Sequence, residues 1–421
     1  MLRLKSIRID KLRKVQPGTV LNFTGDTNLV LGKNGVGKTT LLDVIACAVK
    51  LDFSAFANEE VDVAVELVAN EESSETTFVL SAKIHHTKVT SEQAQHPPQI
   101  VSVVELSCRV GMSTFAIQIA NGKVAATEDA RSIVQFDVNP IVYLSANPIL
   151  ETVVEAFEKI RKHLIKENRI DTVNVFDTMV LLLNTRKAHA RLDESLDVIR
   201  AGMTKLGNIW IDTTIFAMSE NLSAPKDFAS ALISGVTLAS TELIATSENV
   251  DFFAEFARLV AVELVTTKFY RQRVDDYGNE RKLTFHNQNF FIIQKNSELD
   301  FEQFSYGQKR LLAILQYLAV NQEIVVADEI TNGLHHEWIK FIVKKLEGRQ
   351  CFLTSQNPVL LDFLTFTSAA ETKNRLIRCE HGLNGTLIWR NLTDEEANDF
   401  YSSYETGMQH VGEIMRKQGL W

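Results

Sequence analysis

Cysteine is sparse in this 421-residue chain, which has four: Cys47, Cys108, Cys351 and Cys379. Their wide spacing argues against a disulfide framework or a zinc site, and three lie in apolar strand or helix patterns, so buried reduced thiols of a cytoplasmic protein are expected. Long apolar runs are lacking as well. The most apolar helical patterns, 250–265 and 311–320, are broken by charge or too short for a bilayer, so no membrane partner is expected and transport is excluded. No short apolar stretch opens the chain, so no signal peptide is expected. An excess of basic residues is missing too: 44 Lys and Arg stand against 53 Asp and Glu, leaving −9. The molecule as a whole is therefore no electrostatic binder of nucleic acid, and DNA or RNA would need a local basic patch. No internal repeat and no sustained heptad appear, so a long coiled coil is not expected. His85-His86 has no acidic or cysteine partner at ligand spacing, which argues against a metal there.

What is present begins with bulk: 45 % hydrophobic residues bury a sizeable core, and the length suggests two or three domains. The most informative stretch is Gly32-Lys33-Asn34-Gly35-Val36-Gly37-Lys38-Thr39, followed by Thr40, which fits the phosphate-loop pattern G-x-x-x-x-G-K-[ST]. Glycines at 32, 35 and 37 let backbone N–H groups turn toward phosphate oxygens without a Cβ in the way. Lys38 adds a point charge for the β/γ-phosphates, and the Thr39 hydroxyl is placed to hold Mg²⁺. A buried strand at 27–31 leads in and a helix over 41–46 leads out, so the helix N-terminus faces the anion. ATP and Mg²⁺ are the expected ligands.

Two further stretches bear chemistry. Ile324-Val325-Val326-Ala327 is a continuously apolar strand of the buried parallel kind, and it ends in Asp328-Glu329. Adjacent carboxylates at a buried strand end are costly unless a cation or ordered water meets them. Asp328 is placed to ligate Mg²⁺, and Glu329 to poise a water as general base. Phe304-Ser305-Tyr306-Gly307-Gln308 precedes an amphipathic helix at 307–320. There a hydroxyl and bare N–H groups could grip a terminal phosphate, or serve as an ordinary cap.

Along the rest of the chain, 2–10 reads as a strand with one wet face, and Arg3, Lys5, Arg8, Lys11, Arg13 and Lys14 read mainly as a solvated edge, with Arg13 the exception. Strands are predicted at 61–68, 77–85, 100–110 and 115–120, forming an antiparallel sheet with a hairpin at Asn121-Gly122, and a last strand at 140–146. The period then turns helical over 150–167, 176–203, 227–238 and 250–269. The basic excess between Arg161 and Arg191 reads as a solvated helix face. Strands at 283–285 and 290–293 joined by a polar turn, a helix at 335–346, a strand at 350–354, strands around 376 and 387–389 and a last helix over 394–418 complete the pattern. The fold predicted is α/β: one nucleotide-binding fold, 1–148 and 281–393, split by a helical insertion at 149–280 and followed by a C-terminal helix at 394–421.

The order of phosphate loop, Ser-x-Gly-Gln run and Asp-Glu strand resembles the ATP-binding-cassette superfamily, with Phe304 and Tyr306 in place of the Leu and first Gly of the L-S-G-G-Q signature. Asp328-Glu329-Ile330-Thr331-Asn332-Gly333-Leu334-His335 is similar to the D-E-x-x-N-G-L-H-P run of RecF-like and OLD-like ATPases, with His336 where Pro is usual. The opening strand through Arg13 resembles that of RecF, OLD and SMC proteins, with Leu12 for Phe. The resemblance implies an ABC-type P-loop head with a mixed core sheet and an antiparallel β-subdomain. It also implies a head-to-tail homodimer or higher assembly in which Ser305, Tyr306, Gly307 and Gln308 act in trans, Arg13 contacts the nucleotide, and Asn332 and His335 lie in the dimer loop. Phe352-Leu353-Thr354-Ser355-Gln356-Asn357-Pro358 resembles the switch T-[TS]-H-[NS]-P, with Gln356 for the His. Glutamine can hydrogen-bond the γ-phosphate but takes no proton, so slow hydrolysis is expected.

No toprim-like acidic cluster and no H-N-H motif appear, so no nuclease is expected in this chain. An ABC-type ATPase with a helical insert resembles the ATPase subunits of anti-phage systems such as Septu, PARIS and retron-linked types. That implies a nucleotide-gated sensor or scaffold controlling a separate nuclease or toxin effector. A RecF-like DNA repair ATPase and a slow-turnover assembly scaffold are the alternatives.

Overall fold

The computed structural model describes residues 2–51, 53–56, 59–70, 77–89, 99–110, 113–120, 123–137, 148–169, 198–206, 209–212, 225–233, 239–276, 280–294, 297–355, 359–407 and 410–419. They fall into two compact units. The first comprises Met1–Ala190, Glu323–Glu329 and Leu346–Trp421, and the second Arg191–Gln322 and Ile330–Lys345. The predicted strand at 140–146 and the helical pattern over 176–197 lie outside the described residues.

The first unit holds two sheets. An eight-stranded antiparallel sheet runs in the spatial order Thr19–Asn22, Leu2–Leu12, Val61–Asn70, Thr77–Val89, Gln99–Val110, Ser113–Ala120, Lys123–Glu128, Arg131–Asp137. Ala120 pairs with Lys123, so the strands on either side of 121–122 pair as expected. Alternation decides which face is dry: Ile7, Ile9, Val61, Val63, Ile84 and Val104 are buried, while Arg3, Arg8 and Lys11 between them are exposed. The second sheet has the order Ile324–Ala327, Gln350–Leu353, Thr27–Leu31, Leu376–His381, Leu387–Asn391, parallel except for the last pair. Its strands 324–327, 350–353 and 27–31 are buried at every position, and the polar side chains among them are hydrogen-bonded, Asn28 to the Cys351 carbonyl and Gln350 to the Leu4 backbone. The helix Lys38–Lys50 packs its buried face, Leu41, Leu42, Val44, Ile45 and Ala48, into the core shared by both sheets.

The second unit differs from the helical insertion that its apolar periodicity suggests. Helices are present at Lys226–Ile233 and Asp251–Val260, but Val198–Leu206, Ile209–Asp212, Glu242–Thr246, Leu264–Asp276 and Glu280–Gln294 form a largely antiparallel sheet, with Ser297–Asp300 added. The helix predicted over 250–269 stops at Val260, because Ala261 takes a left-handed φ of 56° and the β-branched Val265-Thr266-Thr267 then extends. The end of the predicted helix at 176–203 is likewise strand, paired from Val198↔His286 onward. The turn expected between 285 and 290 does not form: Asn289 stays in the ladder opposite Lys268, in one strand whose register shifts between His286 and Asn289. An aromatic cluster fills this unit. Phe228 meets Phe252 and Phe253, Phe253 meets Phe290, and Phe301 reaches Phe304, which stacks on Phe256.

At the C-terminus the single helix expected over 394–418 is two, Asp394–Glu405 and Val411–Lys417, broken at Gly407 with φ 63°.

Candidate nucleotide site

The strand Thr27–Leu31 runs straight into the loop, and each of its three glycines has a positive φ: 144° at Gly32, 85° at Gly35 and 83° at Gly37. At Gly32 a Cβ would collide with the Cys379 carbonyl oxygen, so only glycine fits between loop and neighbouring strand. Gly37 is pressed from the other side, where a Cβ would stand 3.1 Å from Trp389 Cζ2. The buried Trp389 indole also donates to the Val36 carbonyl at 3.2 Å and so pins the loop from below. Sequence reading did not find Trp389, since only the fold brings it 353 positions back to Val36.

The helix starts at Lys38 with glycine as its N-cap, so no side chain takes up the N–H groups of its first turn. Lys33, Asn34 and Gly35 form the exposed crest of the loop, with Val36 buried beneath. Thr40 is half-buried in the first turn. Lys38 Nζ lies across the loop, donating to the carbonyls of Gly32 at 2.9 Å and Lys33 at 3.0 Å.

Asp328 and Glu329, at the carboxyl end of the adjacent strand, are half-buried. Thr39 Oγ1 donates to Asp328 Oδ2 at 2.6 Å, so two residues 289 positions apart present a hydroxyl and a carboxylate to one point. A buried third residue closes the set: Thr354, just past the strand Gln350–Leu353, donates its hydroxyl to Asp328 Oδ1 and accepts the Glu329 N–H at 2.8 Å. Glu329 has a φ of 49°, a left-handed conformation that costs a non-glycine residue about 1–3 kcal/mol. Sequence reading placed Thr354 in the switch segment without a role. Gln356 lies outside the described residues.

This donor set fits a magnesium nucleotide. Hard oxygens of Thr39 and Asp328 suit Mg²⁺, which takes few protein ligands and completes its shell with phosphate and water. The positive-φ loop and Lys38 suit the phosphates. Bound there, Mg²⁺ would neutralise phosphate charge. Among the described residues no group of three or more His, Cys, Asp or Glu side chains is placed to hold a metal.

Arg13 and the basic opening strand are committed elsewhere. The Arg13 guanidinium forms a bidentate pair with Glu59, at 2.7 and 2.6 Å, over the Phe56 ring. The hydrogen bonds to Glu59 raise its pKa above the ordinary arginine value, and Asp43 on the phosphate-loop helix adds to the effect. Lys5 pairs with Glu66, Arg8 with Asp10 and Lys11 with Glu60, so the charge run is largely neutralised in place. The four cysteines are free and buried, and burial pushes the thiols of Cys108, Cys351 and Cys379 up to about 12.

In the second unit, Ser305 caps the helix Tyr306–Val320 with a capping box: its Oγ accepts the Gln308 N–H at 3.3 Å, and Gln308 Oε1 accepts the Ser305 N–H at 2.8 Å. Phe304, where the family motif has Leu, is buried against Phe256. Tyr306, where it has Gly, is 62 % exposed, and the Cδ1–Cε1 side of its ring lies against Gly333, whose φ of 74° and bare Cα leave room for it. A Cβ on Gly307 would stand 2.7 Å from the Gly333 carbonyl oxygen, so signature and loop 330–335 touch through two glycines. Asn332 and His335 are exposed, and the His335 ring packs edge-on to Trp338 at 4.9 Å.

Comparison with known proteins gives two adjoining family matches. Residues 6–176 match an "AAA domain", and residues 176–362 match "AAA domain, putative AbiEii toxin, Type IV TA system". No curated protein matches the chain. Among solved structures, an Smc head bound to the C-winged helix domain of ScpA has 11 % identity and a TM-score of 0.34, over 94 % of this chain and 99 % of that one. An Smc head domain with coiled coil and joint derived from Pyrococcus yayanosii has 11 % identity and a TM-score of 0.38, over 97 % and 100 %. From its phosphate loop to its Asp-Glu strand, this chain is similar to ATPases of the AAA type.

Proposed function

We propose that this chain binds ATP with Mg²⁺ at the Lys38 loop and hydrolyses it slowly, with Glu329 as general base for the attacking water. The observation that carries the reading is the junction of Thr39 with Asp328, one residue before Glu329. A phosphate cradle, a hard-cation donor pair and a carboxylate base are what phosphoryl transfer to water needs. In this reading two copies dock head to tail. Each offers Ser305, Tyr306, Gly307 and Gln308 to the other's nucleotide, with Asn332 and His335 in the loop between them.

The biological role we propose is that of a nucleotide-gated sensor or scaffold in a cytoplasmic anti-phage defence system, acting on a separate nuclease or toxin effector. The second family model is named for a toxin of a toxin–antitoxin system, which supports this reading over DNA repair. The in-place neutralisation of the opening strand by Glu66, Asp10, Glu60 and Glu59 also disfavours a DNA clamp. The test is phosphate release from ATP with Mg²⁺ or EDTA, with and without duplex DNA. Mg²⁺-dependent release that ignores DNA is expected. Release that needs DNA and fades with salt would favour repair. For the role, phage challenge of cells carrying the chain with its neighbouring genes should show protection that Lys38→Ala abolishes.

A further inference from the structure

We propose that Thr354 is a positioning residue of the ATPase site, whose single hydroxyl sets both the Asp328 carboxylate and the backbone of Glu329. The inference rests on the ATPase reading above and deepens it. Thr354 sits at the carboxyl end of Gln350–Leu353, the strand lying between the phosphate-loop strand Thr27–Leu31 and the carboxylate strand Ile324–Ala327. It is 1 % exposed, so its hydroxyl has no water to turn to and must be satisfied by protein. It is satisfied twice, once as donor to Asp328 Oδ1 and once as acceptor from the Glu329 N–H.

The two bonds do different work. With Thr39 on Oδ2 and Thr354 on Oδ1, the Asp328 carboxylate is held at both oxygens, which fixes the plane it presents to a cation. The bond from the Glu329 N–H holds that residue at φ 49°, a conformation that sends its side chain where an ordinary strand continuation would not. The Thr354 N–H in turn reaches the Ala327 carbonyl at 3.2 Å, so the end of this strand and the end of the carboxylate strand move as one. Thr354 opens the switch segment in the sequence, and its two bonds tie that opening to the acidic pair.

The test compares Thr354→Val, which keeps the shape and removes the hydroxyl, with Thr354→Ser, which keeps it. ATP turnover and equilibrium ATP binding are measured, the latter with Mg²⁺ and with EDTA. Thr354→Val is expected to lower kcat by about 10–100-fold, the scale of a misplaced catalytic group, with KM rising only as far as Mg²⁺-dependent binding weakens. It should weaken ATP binding several-fold in Mg²⁺ and leave binding in EDTA unchanged. Thr354→Ser should restore both. Equal loss of binding with and without Mg²⁺, or Val turnover equal to Ser, would overturn the inference while leaving the ATPase reading intact. Absence of turnover in the unaltered chain would overturn that reading first. Should the Val form not fold, Thr354→Ala carries the same comparison.

Discussion

The carboxyl ends of the strands 27–31, 324–327 and 350–353 and the aromatic interior of the second unit are both densely packed, yet they are built on opposite terms. At the strand ends, Thr39, Asp328, Glu329 and Thr354 come together from three distant stretches of chain, and their hydroxyl, carboxylate and backbone groups pair. In the second unit Phe228, Phe252, Phe253, Phe256, Phe290, Phe301 and Phe304 touch ring to ring, and position matters more than polarity. The first arrangement serves chemistry, and the second serves stability. Substitutions in the two regions should therefore move different observables.

The largest effect expected is on ligand binding. Lys38→Ala removes a charge whose bonds, among the described residues, go to two loop carbonyls, so ATP affinity should fall about a hundredfold or more while the melting temperature stays nearly constant. Calorimetric titration beside thermal unfolding checks it, and a large loss of stability would blur the contrast. Next, Phe253→Ala leaves a cavity under Phe228, Phe252 and Phe290, and should cost about 3–5 kcal/mol in denaturant unfolding.

A smaller effect sharpens the comparison where aromatic packing meets a motif. Gly333→Ala should cost about 1–3 kcal/mol, from its positive φ and from the Tyr306 ring. Adding Tyr306→Ala should recover part of that loss, as a double-mutant cycle would show. The smallest is a pH effect. Hydrogen bonds from Arg390 hold the Glu396 carboxyl down at about 2, against an ordinary 4.5. A depressed folded-state value adds stability above the unfolded value and loses it as pH falls from about 4.5 toward 2. Glu396→Gln should flatten the stability profile in that window.

The same contrast explains what was legible in the sequence. Gly32, Gly35, Gly37, Lys38, Thr39, Asp328 and Glu329 could be read because phosphate and magnesium chemistry permits few alternatives at those spacings. Antiparallel strands at 61–68, 77–85, 100–110 and 115–120 could be read from period-two alternation. The second unit misled because a run such as Phe252 to Phe269 is apolar at both helical and strand spacing, and the switch at Ala261 depends on one left-handed residue. Thr354 was within view as part of the switch segment, but its role depends on strand order, which no local pattern carries. Trp389 and Glu59 were hidden for the same reason: each acts on a residue that only the fold brings near.

The central claim is that the Thr39–Asp328–Glu329 cluster turns over ATP. The most direct measurement is single-turnover phosphate release by the unaltered chain and by Glu329→Gln, with bound nucleotide identified afterwards. The account predicts that the unaltered chain ends with ADP. It predicts that the Gln form releases phosphate about 10²–10⁴-fold more slowly and retains ATP. Equal release from both forms would contradict it.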